Sequence, residues 1–246
     1  MRESLLATVV ISLSSIVSGA LAADMPIKAL GVPVPVFTWT SCFLGAHAGG
    51  GWAEKDITDP VAIVGNALGL APTPGVTTAH VSPSGAVIGG QFGCDYQFAA
   101  NWVAGVEGAV SGATLKGDTT VGLSDGTAAL VTARTDFLGS VTGRLGYAMD
   151  RWLPYVKGGA AWAGDKYTIT SNGFSGFEAL DTRPGWTVGG GIEWAFARNW
   201  SARLEYDYYG LGTRTILIDP TNLGHVDVKQ SVQTVKLGVN FHVWSW

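Results

Sequence analysis

Catalysis needs a nucleophile with a base, or a set of metal ligands, and the 246-residue sequence offers few such groups in a usable pattern. Gly122, Ser124 and Gly126 match a G-x-S-x-G elbow. That elbow exposes its serine only where a buried strand turns sharply into a helix. Here the surroundings are a polar loop, so the match is read as coincidence. The histidines His47, His80, His225 and His242 lack the spacing that puts two ligands on one face. His47 is expected to point inward and to be held by hydrogen bonds. The runs Gly49–Gly51 and Gly189–Gly191 have no phosphate-loop context and are read as places where a wall bends or packs closely. No catalytic residue, metal site or cofactor is assigned, and no enzymatic activity is expected.

The charges are more informative. Side chains alternate faces along a strand, and several segments separate cleanly on that period. Ala202, Leu204, Tyr206 and Tyr208 share one face, with Arg203, Glu205 and Asp207 on the other. Val235, Leu237, Val239 and Phe241 lie opposite Lys236, Gly238 and Asn240. Phe137, Val141, Leu145 and Tyr147 lie opposite Ser140, Thr142 and Arg144. The same alternation also fits a soluble barrel or sandwich, so it does not choose the solvent by itself.

Three features choose it. The apolar faces carry large side chains on every strand, too many for the interior of a barrel of about eight strands, which holds only its own side chains. Aromatic residues crowd both strand ends. Tyr96, Trp102, Tyr147, Trp152, Trp194 and Trp200 lie near short turns, and Trp52, Trp162, Trp186 and Tyr208 lie toward the opposite end. Two such girdles mark the interfaces of a membrane barrel. The chain also closes on an aromatic strand, with Phe241, Trp244 and Trp246. The glycine- and charge-rich face therefore points inward. It carries Glu107, Arg144, Lys157, Glu193, Arg203, Glu205 and Lys236. A buried, unpaired charge costs several kcal/mol, so these groups are expected to pair across strands. Arg144 and Arg203 are the expected anchors, because a guanidinium can hold two carboxylates.

Composition agrees with this reading. Charged residues make up 14% and hydrophobic residues 47% of the chain, with 35 glycines and 10 tryptophans. Soluble domains average about 25% charged residues. Beyond residue 22 no stretch is apolar for the roughly 18 residues a helical span needs. A closed barrel is the other way to satisfy every backbone group in hydrocarbon. The net charge of −4, with no basic patch, gives no sign of nucleic-acid binding.

The organisation along the chain follows. Residues 1–22 read as a signal peptide, with Arg2, an apolar run from Leu5 to Val17, and Ala20 and Ala22 at the cleavage positions. Residues 23–36 read as a proline-rich periplasmic linker, and residues 37–246 as the barrel. Short turns at 98–102, 149–152 and 196–200 alternate with polar stretches near 54–83, 113–131, 171–183 and 212–228, expected to be long loops. Three turns and four loops imply about eight strands in an all-β, closed, up-and-down antiparallel transmembrane barrel. The strands are expected at 40–53, 84–98, 102–112, 132–149, 152–169, 184–196, 200–211 and 230–243. Cys42 opens the first strand and Cys94 closes the second, both on outward parity near the short-turn end. Directly opposed residues lie about 4.5–5.5 Å apart, within disulfide reach. An exported protein can keep such a bond, so a Cys42–Cys94 disulfide is expected.

These segments resemble the outer-membrane immunogenic protein family, porin-like and related to OmpA-type barrels. The stretch from Trp39 to Trp52 resembles that family's first strand, and 89–98 followed by 101–108 its next hairpin. Gly143–Tyr147, Leu153–Gly159 and Gly189–Trp194 are further matches. The likeness runs from about residue 37 to the end, and the proline-rich lead-in also fits. It implies an eight-stranded barrel in the outer membrane of a Gram-negative cell, with surface-exposed loops and no single defined activity. Where family members end on an aromatic two residues after the position of Phe241, this chain has Val243 and continues through Trp244 to Trp246. The terminal assembly signal therefore stays open among these aromatics.

The leading functional expectation is a structural, surface-displayed barrel with long extracellular loops that is not a wide pore. The alternatives are a small-solute or ion porin and an outer-membrane enzyme acting on lipid. Outer-membrane lipid is the expected partner, with a loop-bound ligand or host surface as a further one. The barrel is expected to be a monomer.

Overall fold

The computed structural model describes residues 37–59, 77–122, 128–171, 174–219 and 224–245. The signal peptide and linker expected at 1–36, the serine of the G-x-S-x-G match and Trp246 lie outside the described residues.

The strands are β1 (Ser41–Asp59), β2 (Thr77–Val81), β3 (Ser84–Phe98), β4 (Trp102–Gly122), β5 (Ala128–Tyr147), β6 (Trp152–Ser171), β7 (Phe174–Ala197), β8 (Trp200–Asp219) and β9 (Gly224–Ser245). Both β2 and β3 pair with β1, so together they form one stave, broken at Ser82 and Pro83. Proline has no N–H to give a ladder, and the Pro83 carbonyl instead accepts from Ala53 N at 2.8 Å. Each stave then pairs antiparallel with the next, and β1 pairs with β9 from Ser41↔Ser245 to Thr58↔Asp227. The result is the expected closed, up-and-down barrel of eight staves.

The stave lengths differ from the sequence expectation. Residues 54–59, 77–81, 113–122, 128–131, 174–183, 212–219 and 224–228, read as loop, lie in strands. Several of these stretches mix polar residues with β-branched ones, such as Thr114, Thr119 and Thr120 or Thr213, Thr215 and Ile216, which suit a strand. Their polarity reports the solvent around them and not a lack of pairing. A membrane-spanning strand needs about 9–11 residues. Staves of 19 to 24 residues therefore stand well beyond the bilayer as paired hairpins.

The opposite ends are tight. Ala99 and Ala100 both adopt positive φ, 44° and 65°. They belong to a three-residue connection, 99–101, that joins Phe98 to its ladder partner Trp102, a short loop in which left-handed residues are common. Asn101 Nδ2 donates to Ala148 O at 2.8 Å, and Asn199 Nδ2 donates to His242 O at 2.9 Å. Equivalent asparagines in the first and third turns thus bond to the end of the following stave.

The outward face is apolar and exposed around the ring, through Leu44, Ile88, Val106, Val141, Val156 and Leu237 among others. An exposed apolar surface this extensive marks contact with something other than water. The short-turn girdle packs across strands: Trp102 with Tyr147 at 5.4 Å, Trp152 with Trp194 at 5.6 Å and Trp200 with Phe241 at 5.0 Å between ring centroids. The other girdle has Trp52, Trp162 and Trp186 exposed at the far end of this belt.

Val141→Arg, within the belt, is expected to lower the unfolding free energy in lipid vesicles by about 2–4 kcal/mol. Urea titration of the refolded barrel would measure it, and unchanged stability would put Val141 outside hydrocarbon.

Candidate functional site

The inward faces of all eight staves converge on the lumen, so the chemistry of the protein's interior is set there. It is filled in layers. At the short-turn end, Trp39 is fully buried against Val103, Ala148, Leu153 and Ala195, with Phe37 packed beside it. Its indole N–H donates to Asp150 O at 3.1 Å, and its backbone N–H to Gln97 Oε1 at 2.9 Å. These bonds fix an apolar floor. Just above it, Ser41 Oγ meets His242 Nδ1 at 2.7 Å and Ser201 Oγ meets His242 Nε2 at 2.9 Å. Ser201 also donates to Glu193 Oε1 at 2.5 Å.

The middle of the lumen is ionic. Arg144 Nη2 lies 2.7 Å from Asp95 Oδ2 and 3.0 Å from Glu193 Oε2. Its guanidinium sits over the rings of Phe43 and Tyr155, at 5.0 and 4.7 Å. Arg203 Nη1 meets Glu107 Oε2 at 2.6 Å. Lys157 Nζ bridges Glu107 Oε1 at 3.0 Å and Glu205 Oε1 at 2.9 Å. Lys236 Nζ joins Glu205 Oε1 at 3.0 Å to Asp207 Oδ2 at 2.6 Å. Tyr155 donates to Glu205 Oε2 at 2.7 Å. Asn240 donates to Glu193 and accepts from Gln91, both at 2.7 Å. His47 closes this layer, with Nδ1 2.5 Å from Gln91 Oε1 and Nε2 2.7 Å from Ser111 Oγ.

Space for these long side chains comes from the glycines opposite them. A Cβ on Gly189 or Gly105 would collide with the carboxylates of Asp207 and Asp95, their direct ladder partners. The inward alternation of glycine with charge is thus a steric fit.

Toward the hairpin end, Leu115, Leu138, Tyr209, Leu211, Val87 and Val232 form a second apolar layer. A smaller polar group follows. Asp165 Oδ1 accepts from Lys55 Nζ at 3.0 Å, Thr135 Oγ1 at 2.6 Å and Gln230 Nε2 at 3.1 Å. Arg183 Nε lies 3.7 Å from Asp165 Oδ2.

All seven inward charges read from the sequence, Glu107, Arg144, Lys157, Glu193, Arg203, Glu205 and Lys236, lie in the central layer at 4% exposure or less. Asp95, Asp207 and Tyr155 share that layer and were not among them. Asp207 sits on the same parity as Arg203 and Glu205, and Asp95 on that of Gln91 and Gly93, so the period-two signal covered both. Lys55 and Arg183 lay just past the expected strand ends. Among the described residues no group of histidine, cysteine or carboxylate side chains could hold a metal ion.

Outside the lumen, Cys42 and Cys94 are ladder partners on β1 and β3, half-buried on the outward face, and their sulfurs are bonded.

Comparison with known proteins gives a consistent picture. The outer membrane protein beta-barrel domain family matches residues 29–241. The 31 kDa outer-membrane immunogenic protein of Brucella melitensis biotype 1 is 30% identical over 241 residues, spanning 91% of this chain and 93% of that protein. The 25 kDa outer-membrane immunogenic protein of Brucella abortus biovar 1 is 25% identical, spanning 90% of each chain. Among solved structures, the outer membrane protein OprG of Pseudomonas aeruginosa superposes with a TM-score of 0.54 at 17% identity, covering 84% of this chain and 99% of that one.

Two outcomes follow from the geometry. Arg203→Ala leaves Glu107 short of its closest cation and is expected to lower barrel stability by about 3–5 kcal/mol. An unchanged urea midpoint would remove the central layer as a stabilising network. Replacing both Cys42 and Cys94 by serine is expected to destabilise by up to about 4 kcal/mol. Two free thiols titrated in the unfolded, unreduced wild type would remove the bond itself.

Proposed function

The chain belongs to the outer-membrane protein beta-barrel family, and on that premise we propose that it is a monomeric, non-conducting and non-enzymatic scaffold that displays its paired hairpins at the cell surface. It is a structural barrel of the outer membrane of a Gram-negative cell. The observation that carries the proposal is the layered lumen. A conducting path along the axis would have to pass the Trp39 floor, the central ionic layer and the Leu115–Leu138 layer in turn. Water-filled diffusion channels come with about 16–18 strands, whereas about eight leave room for side chains alone.

The hairpins are what remains to meet a ligand or a host surface. Recognition carried by outward extensions of a rigid scaffold is a common arrangement. The set of Ser41, His242, Ser201 and Glu193 has residue types that can do acyl chemistry. Both ring nitrogens of His242 are already bonded to hydroxyls, and the group lies between the Trp39 floor and Arg144. This closed chain supports a structural role for the set.

Planar-bilayer recording of the purified, refolded protein tests the reading. The expected trace is silent or shows small, rare steps. Large, stable conductance from monomeric protein would overturn it in favour of a solute pore.

A further inference from the structure

The outward face changes character beyond the girdle at the hairpin end, and it does so unevenly around the ring. Lys116 on β4 stands directly opposite Arg134 on β5, and Arg134 directly opposite Lys166 on β6. Neighbouring strands lie about 4.8 Å apart, so a single rung carries three cations within about 10 Å. The next partners along that rung are Ser84 on β3 and Leu180 on β7. All three cations have outward parity: Lys116 is exposed, and Arg134 and Lys166 are half-buried. Lys166 lies four residues beyond the girdle residue Trp162 on the same strand.

Directly opposed like charges destabilise a sheet, and the other side of the ring avoids them. There Lys229 on β9 faces Asp56 on β1, and Asp56 faces His80 on β2. Asp56 also lies four residues beyond its girdle residue, Trp52, so the two rungs share one offset. Cation faces carboxylate on that rung at Lys229 and Asp56, and His80 Nδ1 lies 2.7 Å from Asp56 Oδ1. Near the cationic rung, Asp136 at the β5 bulge reaches Arg134 at 3.5 Å, with both side chains more than a third exposed. Such a surface pair is worth little. Asp118 sits two residues further out on β4. The Nε of Arg134 is shielded from water and has no acceptor among the described residues.

We propose that the Lys116–Arg134–Lys166 rung binds the phosphate groups of the phosphorylated glycolipid in the outer leaflet. The inference rests on the hairpin end facing the cell exterior. Immediately beyond the aromatic girdle the surrounding medium passes from hydrocarbon to lipid headgroups, so the rung stands where those phosphates lie. A guanidinium matches phosphate with two parallel N–H donors, and flanking ammonium groups add compact charge.

The test uses the mature protein refolded in zwitterionic micelles and titrated with bisphosphorylated lipid A, with bound lipid counted by native mass spectrometry. The triple variant K116Q/R134Q/K166Q should bind on the order of a hundredfold more weakly at low salt, each cation near a lipid surface contributing about a factor of five. K229Q, on the rung of Asp56, should bind as the wild type does, and monophosphorylated lipid A should bind the wild type less tightly than the bisphosphorylated form. R134Q alone provides the reading should the triple variant lose its heat-modifiable gel migration. Equal binding by wild type and a folded variant, or equal loss in K229Q, overturns the proposal. Full competition by millimolar inorganic phosphate would make the rung a simple anion site and overturn the lipid assignment. A folded barrel that fractionates with outer membranes but fails these tests leaves the display reading intact. Failure to reach the outer membrane would remove the premise of both.

Discussion

Hydrocarbon offers no partner to a backbone N–H or C=O, and that constraint forces the first stave to meet the last. Once β1 pairs with β9, the ring size fixes the width of the interior, and the pleat fixes which residues enter it. Every second residue must then suit a narrow, dry space, and its neighbours must suit lipid. The apolar exterior, the glycine–charge alternation inside and the two aromatic girdles are all answers to that one requirement.

The interior answer is ionic. Taking ions out of water is expensive, and an apolar filling of the same shape is often as stable. This chain uses ions nonetheless, and it uses them as a mesh. Glu107 meets cations from three different staves, and Lys157 meets carboxylates from two. The links from Glu107 to Lys157 and Arg203, and from Lys157 to β8, tie staves that are not ladder neighbours, which backbone pairing alone cannot do. The apolar layers on either side keep water from the mesh and so strengthen each contact. A filled, cross-tied lumen is a rigid mount, and it leaves the hairpins as the parts free to differ in what they meet.

The barrel was legible because lipid reverses the usual rule. Leu204, Tyr206 and Tyr208 alternate with Arg203, Glu205 and Asp207, and only a lipid exterior makes the charged set the inner one. The same period found the central charges but not their full company. Asp95 sits between the outward Cys94 and Tyr96 near the end of β3, a place that reads as strand end more readily than as lumen. Lys55 and Arg183 sit where polar residues surround them, and polarity in a sequence reads as the end of pairing. Water-facing strand and loop look alike in composition, so the bilayer boundary is visible in the sequence and the ends of the staves are not. Trp39 gave no sign of its place under the lumen, because a tryptophan before a strand can lie on either face.

The seam between β1 and β9 has a consequence for how the protein forms. All other staves join their sequence neighbours through hairpins, whereas Ser41 must find Ser245 across nearly the whole chain. Contacts so distant in sequence are slow to form, because the loop entropy is lost before the contact repays it. Until they form, both edge strands present open ladders that can capture another chain. The link from Cys42 to Cys94 keeps one margin of β1 on its hairpin partner while the other waits for β9. A newly exported copy is thus a curled ribbon with one sticky flank at each end, and its greatest danger is a second ribbon arriving before it has shut.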